Sequence, residues 1–319
     1  MSEAETAAFL RAVGDGEIDT ARAMLAADPA LVHAVGPHPY WGGRPQALHV
    51  AIETKRRDLF DLLLDAGADP DGRNGDYDLW SPLMLTFPHG REEMRAELIR
   101  RGARIGLVEA LLMKDDAAVE VLLADGLPRA VPNNGSILAF ARTPEAIDRL
   151  LALGAPIDLK DRWGTTPVEA MSRAGADGGT LVRHMMNHGI VPDAQAFARL
   201  GDRDMLAALV ETDPAIARRD GVLMAGVEHR HHDLVRWLLS TGASANARNP
   251  GLSRQTALHN AAWNGDLDMV ELLAGAGADL HARDAEHDAT PRGWAETSVT
   301  ITNNPRCAEV AAWLERQGG

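Results

Sequence analysis

The side chains best equipped for chemistry or recognition are unevenly placed in this 319-residue chain. It carries seven Trp, five Phe and two Tyr. Both tyrosines, Tyr40 and Tyr77, and three tryptophans, Trp41, Trp80 and Trp163, fall in stretches crowded with Gly, Pro, Asn and Asp, the residues that mark loops. Carboxylates stand close by: Asp76, Asp78 and Asp161 in the same stretches, and Glu53 and Glu228 at the ends of short apolar runs. Rings beside paired carboxylates suit two kinds of chemistry. One is cofactor-independent hydrolysis or elimination on a sugar or other small polar molecule, with Glu53, Asp78, Asp161 and Glu228 as candidate acids and bases. The other is recognition of a protein or peptide partner. There Tyr40, Trp41, Tyr77, Trp80, Trp163 and Trp263 supply apolar area at low entropy cost, and the acids set the sign of the ligand.

Other reactive groups carry weaker signals. His184 and His188 are spaced i, i+4, which can place two ligands on one metal. No glutamate follows His184, and no third ligand is evident in the sequence; no metal is expected. His188, beside Gly189, reads as a cation at a helix C-terminus. His229, His231 and His232 crowd a bend around Arg230 and read as a polar turn. Cys307 is the single cysteine, so no disulfide framework exists within the chain. Neither a Gly-x-Ser-x-Gly elbow nor a Gly-rich Lys-Ser/Thr phosphate loop is present, and no cofactor is expected. With 32 Lys+Arg against 46 Asp+Glu the formal charge is −14, and the basic runs (Lys55–Arg57, Arg100–Arg101, Arg218–Arg219) are short. Nucleic acid is therefore not an expected partner. No apolar run approaches the ~20 residues of a spanning helix, and residues 1–20 lack a basic start followed by an apolar core. A cytoplasmic protein without a membrane partner is expected.

The elements that hold these residues are revealed by internal repetition. Residues 256–283 read Thr-Ala-Leu-His-Asn-Ala-Ala-Trp-Asn-Gly-Asp-Leu-Asp-Met-Val-Glu-Leu-Leu-Ala-Gly-Ala-Gly-Ala-Asp-Leu-His-Ala-Arg. Thr256 can cap a helix. Ala261 and Ala262 allow close helix contact, and Gly265 can end the helix in a left-handed conformation. A second helix follows with Met269, Val270, Leu272 and Leu273 on one face, and Gly277-Ala278-Asp279 closes the unit. The frame recurs in Ala47-Leu48-His49, Leu63-Leu64 and Gly67-Ala68-Asp69, in Ser81-Pro82-Leu83 and Gly102-Ala103, in Thr166-Pro167-Val168 and Gly189, and in Leu238-Leu239 and Gly242-Ala243-Ser244. Asp28-Pro29-Ala30-Leu31 and Asp213-Pro214-Ala215-Ile216 replace Gly-Ala-Asp in two copies. The pattern closely resembles the ankyrin repeat. Ten copies are expected, at about 5–36, 45–74, 80–105, 107–132, 136–160, 165–192, 194–220, 222–248, 256–283 and 289–319.

The resemblance implies an all-α ankyrin-repeat solenoid, a single domain over 1–319 in which helix pairs bury their apolar faces on one another. It also implies a non-catalytic binding scaffold. Leu63, Leu64, Leu122, Leu123, Leu150, Leu151, Leu238, Leu239, Leu272 and Leu273 are expected to seal neighbouring copies. His49 and His259 match the histidine that fastens the turn in this family. The spacing is irregular: Gly102 to Gly126 is 24 residues, against about 33 for the regular array. The finger loop at 35–46 is about five residues longer than an ordinary one, and an insertion at 297–302 is expected between the last two helices. Aligned first helices place Glu53, Pro88, Met113, Thr143, Arg173, Arg199, Glu228, Trp263 and Thr297 in one column, which faces the concave groove in ankyrin arrays. The six aromatic candidates are accordingly expected around one concave surface with Glu53 and Glu228 beside it, or else in two patches of which the one around Trp41 and Trp80 is functional.

Overall fold

The computed structural model describes residues 2–72, 77–87, 90–174 and 177–318; Asp76 and Pro88 lie outside them. Among the described residues the regular structure is helical, with isolated β-bridges and no extended strand. The chain divides into two compact units, Met1–Pro167 and Val168–Gly319.

In the first unit α1 (Glu3–Asp15) and α2 (Ile18–Ala27) form a pair, followed by α3 (Ala47–Glu53) with α4 (Arg57–Asp65), then α5 (Glu92–Arg100), α6 (Leu107–Met113) with α7 (Asp116–Leu122), and α8 (Pro144–Ala152). Phe9, Leu10, Leu48, Ile52, Leu59, Phe60, Leu63 and Leu98 build a continuous core through the first three copies. The second unit holds α9 (Pro167–Ser172), whose first residue is the last of the first unit, and α10 (Gly178–Asn187). These are followed by α11 (Ala194–Leu200) and α12 (Arg203–Thr212), α13 (Asp220–Glu228) and α14 (His232–Ser240), α15 (Ala257–Trp263) and α16 (Leu267–Gly275), and α17 (Pro291–Thr302) and α18 (Arg306–Arg316). Its core runs from Ala194 to Leu314.

A shared stop signal closes the second helix in six copies. Gly67, Gly102, Gly154, Gly189, Gly242 and Gly277 all take left-handed φ near +90°. The next residue's N–H reaches back to the carbonyl four positions before the glycine, as in Ala68 to Leu63 at 2.9 Å and Ala278 to Leu273 at 3.0 Å, which satisfies an otherwise open helix end. The residue whose carbonyl is bonded is buried every time: Leu63, Leu98, Leu150, Met185, Leu238 and Leu273. Copy four breaks the rule. Gly126 is left-handed, but Leu122 is exposed and Leu123 is buried in its place, packing one turn beyond Val119. Of the ten paired leucines, Leu63, Leu64, Leu123, Leu150, Leu238 and Leu273 are buried, Leu151, Leu239 and Leu272 half-buried and Leu122 exposed. In the two Asp-Pro copies the helix instead ends on extended Asp28 and Asp213, both at φ −140°, each capping a 3-10 turn (Pro29–His33, Pro214–Arg218) by accepting an N–H two residues on at 3.0 Å.

Two expected first helices shrink to 3-10 turns, Met84–Thr86 and Ile137–Phe140. A proline explains the second. Pro144 takes the first position of α8 and holds Thr143 extended (φ −133°, ψ 149°), only three residues past Phe140. The expected insertion at 297–302 is not a loop: these residues prolong α17 until Asn303 ends it at φ 55°.

Candidate functional site

The long loop 35–46 is built as a hairpin. Val35 and Gln46 form an antiparallel bridge, Gly36 N–H donates to Pro45 at 3.2 Å and His38 N–H to Gly43 at 3.0 Å. Gly43 sits at φ +98°, and a Cβ there would lie 2.8 Å from the Tyr77 ring, so the loop can rest on that ring only with glycine at this position. Inside the loop His38 is buried. Its Nδ1 accepts the N–H groups of Tyr40 (3.1 Å) and Trp41 (3.2 Å), and its Nε2 lies 3.2 Å from Glu53 Oε2. An acceptor Nδ1 places the proton on Nε2, which donates to Glu53 at the end of α3. The other Glu53 oxygen accepts from the Tyr77 hydroxyl at 2.6 Å. Burial first, then the Glu53 charge, drives the Tyr77 phenol well above its ordinary pKa, with a hydrogen bond from Trp41 pulling the other way. Tyr40 donates to Asp15 at 2.5 Å, with the Arg11 guanidinium 4.9 Å over its ring; burial and then Asp15 raise its pKa as well. Trp41 stacks on His38 at 4.2 Å and 18° and is still 40% exposed. The loop thus presents one indole face on a fixed base.

A second displayed ring comes from the turn 161–165. Asp161 Oδ1 accepts the N–H groups of Trp163 (2.9 Å) and Thr165 (2.8 Å). Trp163 is 70% exposed, with the Arg162 guanidinium 4.9 Å from its ring centre. Arg162 also pairs with Asp78, and its N–H donates to Asn133 at 2.9 Å. The Asn133 side chain accepts from the Trp80 indole at 3.2 Å. Trp80 is half-buried, edge-on to Phe140 at 6.0 Å, and its carbonyl lies 3.1 Å from His49 Nε2. In the first unit Tyr40, Trp41, Tyr77, Trp80 and Trp163 are therefore linked through named contacts with Glu53, Asp78 and Asp161. The three carboxylates accept hydrogen bonds or an ion pair from within the unit, which makes them braces of the loops that carry the rings.

In the second unit Glu228 is exposed at the end of α13. Trp263 is half-buried, edge-on to Trp294 at 5.8 Å, and its carbonyl accepts from Ser298 (2.8 Å) and the Cys307 thiol (3.2 Å). Trp294 donates to Asp284 at 3.0 Å. The histidines around Arg230 turn to different partners: His231 Nε2 lies 2.6 Å from the Arg199 carbonyl, and His232 and Arg230 share Asp266 at 2.9 and 2.7 Å. His184 and His188 stand edge to face at 5.1 Å, with His188 at the C-cap of α10. His259 acts as its family counterpart does. Its Nδ1 accepts from Thr256 N–H at 3.1 Å, and its Nε2 reaches the Ala289 carbonyl thirty residues on at 3.0 Å. Burial lowers the pKa of both His49 and His259.

His38, Asp15, Asn133 and Arg162 escaped the sequence reading. A histidine in a loop carries no spacing signal when its partner is a helix residue fifteen positions away. The nearest cue was composition: a His-Pro-Tyr-Trp run has more rings than a passive connection needs.

Comparison with known proteins agrees with this architecture. Residues 222–274 match the family "Ankyrin repeats (many copies)" and residues 47–75 match "Ankyrin repeat". The chain is an ankyrin repeat protein, an all-helical array of the kind that serves as a protein-binding scaffold. It is 27% identical over 186 residues to the E3 ubiquitin-protein ligase XB3 of Oryza sativa subsp. japonica, covering 58% of this chain and 38% of that protein. It is 34% identical over 102 residues to the probable E3 ubiquitin-protein ligase XBOS31 of the same organism, covering 30% of this chain and 20% of that protein. The chain thus spans well under half the length of either relative. The human ASB11 ankyrin repeat domain aligns with 63% of this chain and 99% of its own, at 21% identity and a TM-score of 0.37. Among the described residues no helix is long and apolar enough to cross a membrane.

Proposed function

We propose that the first unit recognises a partner protein or peptide through the rings on loops 35–46 and 161–165, with Trp41 and Trp163 making the contact. The supporting observation is the support beneath each exposed ring. An indole left 40% or 70% in water carries a hydrophobic cost, yet Trp41 is seated on a His38–Glu53–Tyr77 network and Trp163 on a capped turn. Rigid aromatic groups lose little entropy when a partner covers them and are the side chains that anchor interfaces. Tyr40, Tyr77 and Trp80 hold these loops, and Glu53, Asp78 and Asp161 position them. The partner is then read by apolar contact more than by charge. The two rice relatives are described as E3 ubiquitin-protein ligases, one of them probable; what this reading carries over is target recognition and not ligase activity.

The test is capture from native lysate by the full chain, compared with Trp41→Ala, Trp163→Ala and the double variant. Each variant is expected to keep the helical circular-dichroism signal and melting temperature and to lose the captured protein. Folded variants that capture the same proteins as the parent would contradict the reading.

A further inference from the structure

Buried polar side-chain atoms in folded proteins almost always have a hydrogen-bond partner, and each exception needs a cause. Four buried side-chain nitrogens among the described residues have none: Arg91 Nε, Arg199 Nε, Arg199 Nη1 and His229 Nε2. Three of the four sit together in the second unit, on two helices packed against each other, α11 and α13 and its C-cap. Arg199 is only 6% exposed. Its remaining nitrogen, Nη2, donates to Gln195 Oε1 at 3.2 Å, while its own carbonyl is engaged by His231. His229 stacks on His231 at 6.4 Å and 11°. The open groups on the guanidinium are donors only, and a guanidinium stays charged.

Electrostatics describe the same deficit. Burial, and after it the charge of Arg173, pushes the Arg199 guanidinium below its ordinary range, opposed by Glu169, Glu228 and Asp193. Burial likewise lowers the His229 pKa, with Glu228 opposing it and His231, Arg199 and Arg173 adding to it. The surrounding acids therefore act at a distance, and none supplies an acceptor to Nε or Nη1 of Arg199. Asp193 is spent on capping α11 at the Ala196 N–H. Arg173 and Glu228 are exposed, so both can move aside for an incoming group. Arg173, Arg199 and Glu228 also share the column of first-helix positions that the repeat pattern directs to the groove.

We infer that Arg199, with Arg173 and His229 beside it, forms a binding site for a single oxyanion, a carboxylate or phosphate group, which supplies the missing acceptors. The site lies in the second unit and does not depend on the reading of Trp41 and Trp163. One small oxyanion is the group that fits: the donors are buried, so bulk is excluded, and a chain of formal charge −14 repels a polyanion. Glu228 competes with the ligand for the same cations.

The test titrates the full chain with sodium phosphate and, separately, sodium acetate, at constant ionic strength held with sodium chloride. At tenfold excess over Kd the melting temperature is expected to rise by about 2–4 °C. Arg199→Met, which replaces a buried cation by an apolar chain of similar length, is expected to abolish the rise. Glu228→Gln is expected to tighten binding several-fold. The side-chain Nε–Hε resonance of Arg199 in the parent protein gives a readout that needs no variant, and it is expected to shift on titration. A stronger response to phosphate assigns the site to a phosphate group; an equal or stronger response to acetate assigns it to a partner's carboxylate. No response of the parent to either anion, or an equal response from Arg199→Met, would overturn the site.

Discussion

Glu53 has two oxygens, and both are taken: Tyr77 holds one at 2.6 Å and His38 the other at 3.2 Å. Tyr77→Phe leaves one oxygen without that donor and is expected to cost about 1–2 kcal/mol in urea denaturation, loosening the loop that carries Trp41. Trp80→Ala is expected to destabilise the chain, because Trp80 is half-buried against Phe140 and donates to Asn133, whereas Trp41→Ala is expected to leave stability nearly unchanged. Protonation supplies a further prediction. The folded state lowers the pKa of His49 and His259, so below the unfolded value of about 6.5 the unfolded chain binds more protons than the native one. Their contribution is present in full above that pH and is lost as pH falls toward the depressed folded values. Denaturation midpoints at pH 7.5 and 5.5 are expected to show this loss, and His49→Gln with His259→Gln is expected to shrink it. Tyr40 and Tyr77 work in the opposite direction: their raised folded pKa makes stability fall as pH rises past about 10.

At the level of elements the repeat frame was legible because it is written in residues with one physical job each. Where a glycine ends the second helix it is left-handed, and the apolar residue four positions earlier packs inward; Leu63, Leu150, Leu238 and Leu273 follow that rule. Copy four was not legible, because a leucine pair does not say which member faces inward. Leu238→Ala is expected to cost about 2–5 kcal/mol, while Leu122→Ala is expected to cost less than about 1 kcal/mol. Chemical denaturation separates the two, and a large loss at Leu122 would contradict the burial pattern. The shortened first helix at Ile137–Phe140 has its physical cue in Pro144, which holds Thr143 extended. The site was half legible. Composition pointed to the aromatic loops, whereas the bracing by His38, Asn133 and Arg162 depends on long-range contacts that no local spacing encodes.

For the molecule as a whole, charge and apolar display act separately. The formal charge of −14 predicts weak or absent binding to DNA or RNA at physiological salt, and a gel shift at sub-micromolar concentration would contradict that. The carboxylates beside the displayed rings are already engaged, so partner capture is expected to change little with salt concentration, unlike a charge-steered interface. The most direct test of the recognition surface is site-specific photo-crosslinking in native lysate. A benzophenone side chain replaces Trp41, Trp163 or, for comparison, Val191, which is 86% exposed in the second unit. The same protein crosslinked at 41 and 163 and absent at 191 is the predicted result; identical products at all three positions, or none at 41 and 163, would contradict it.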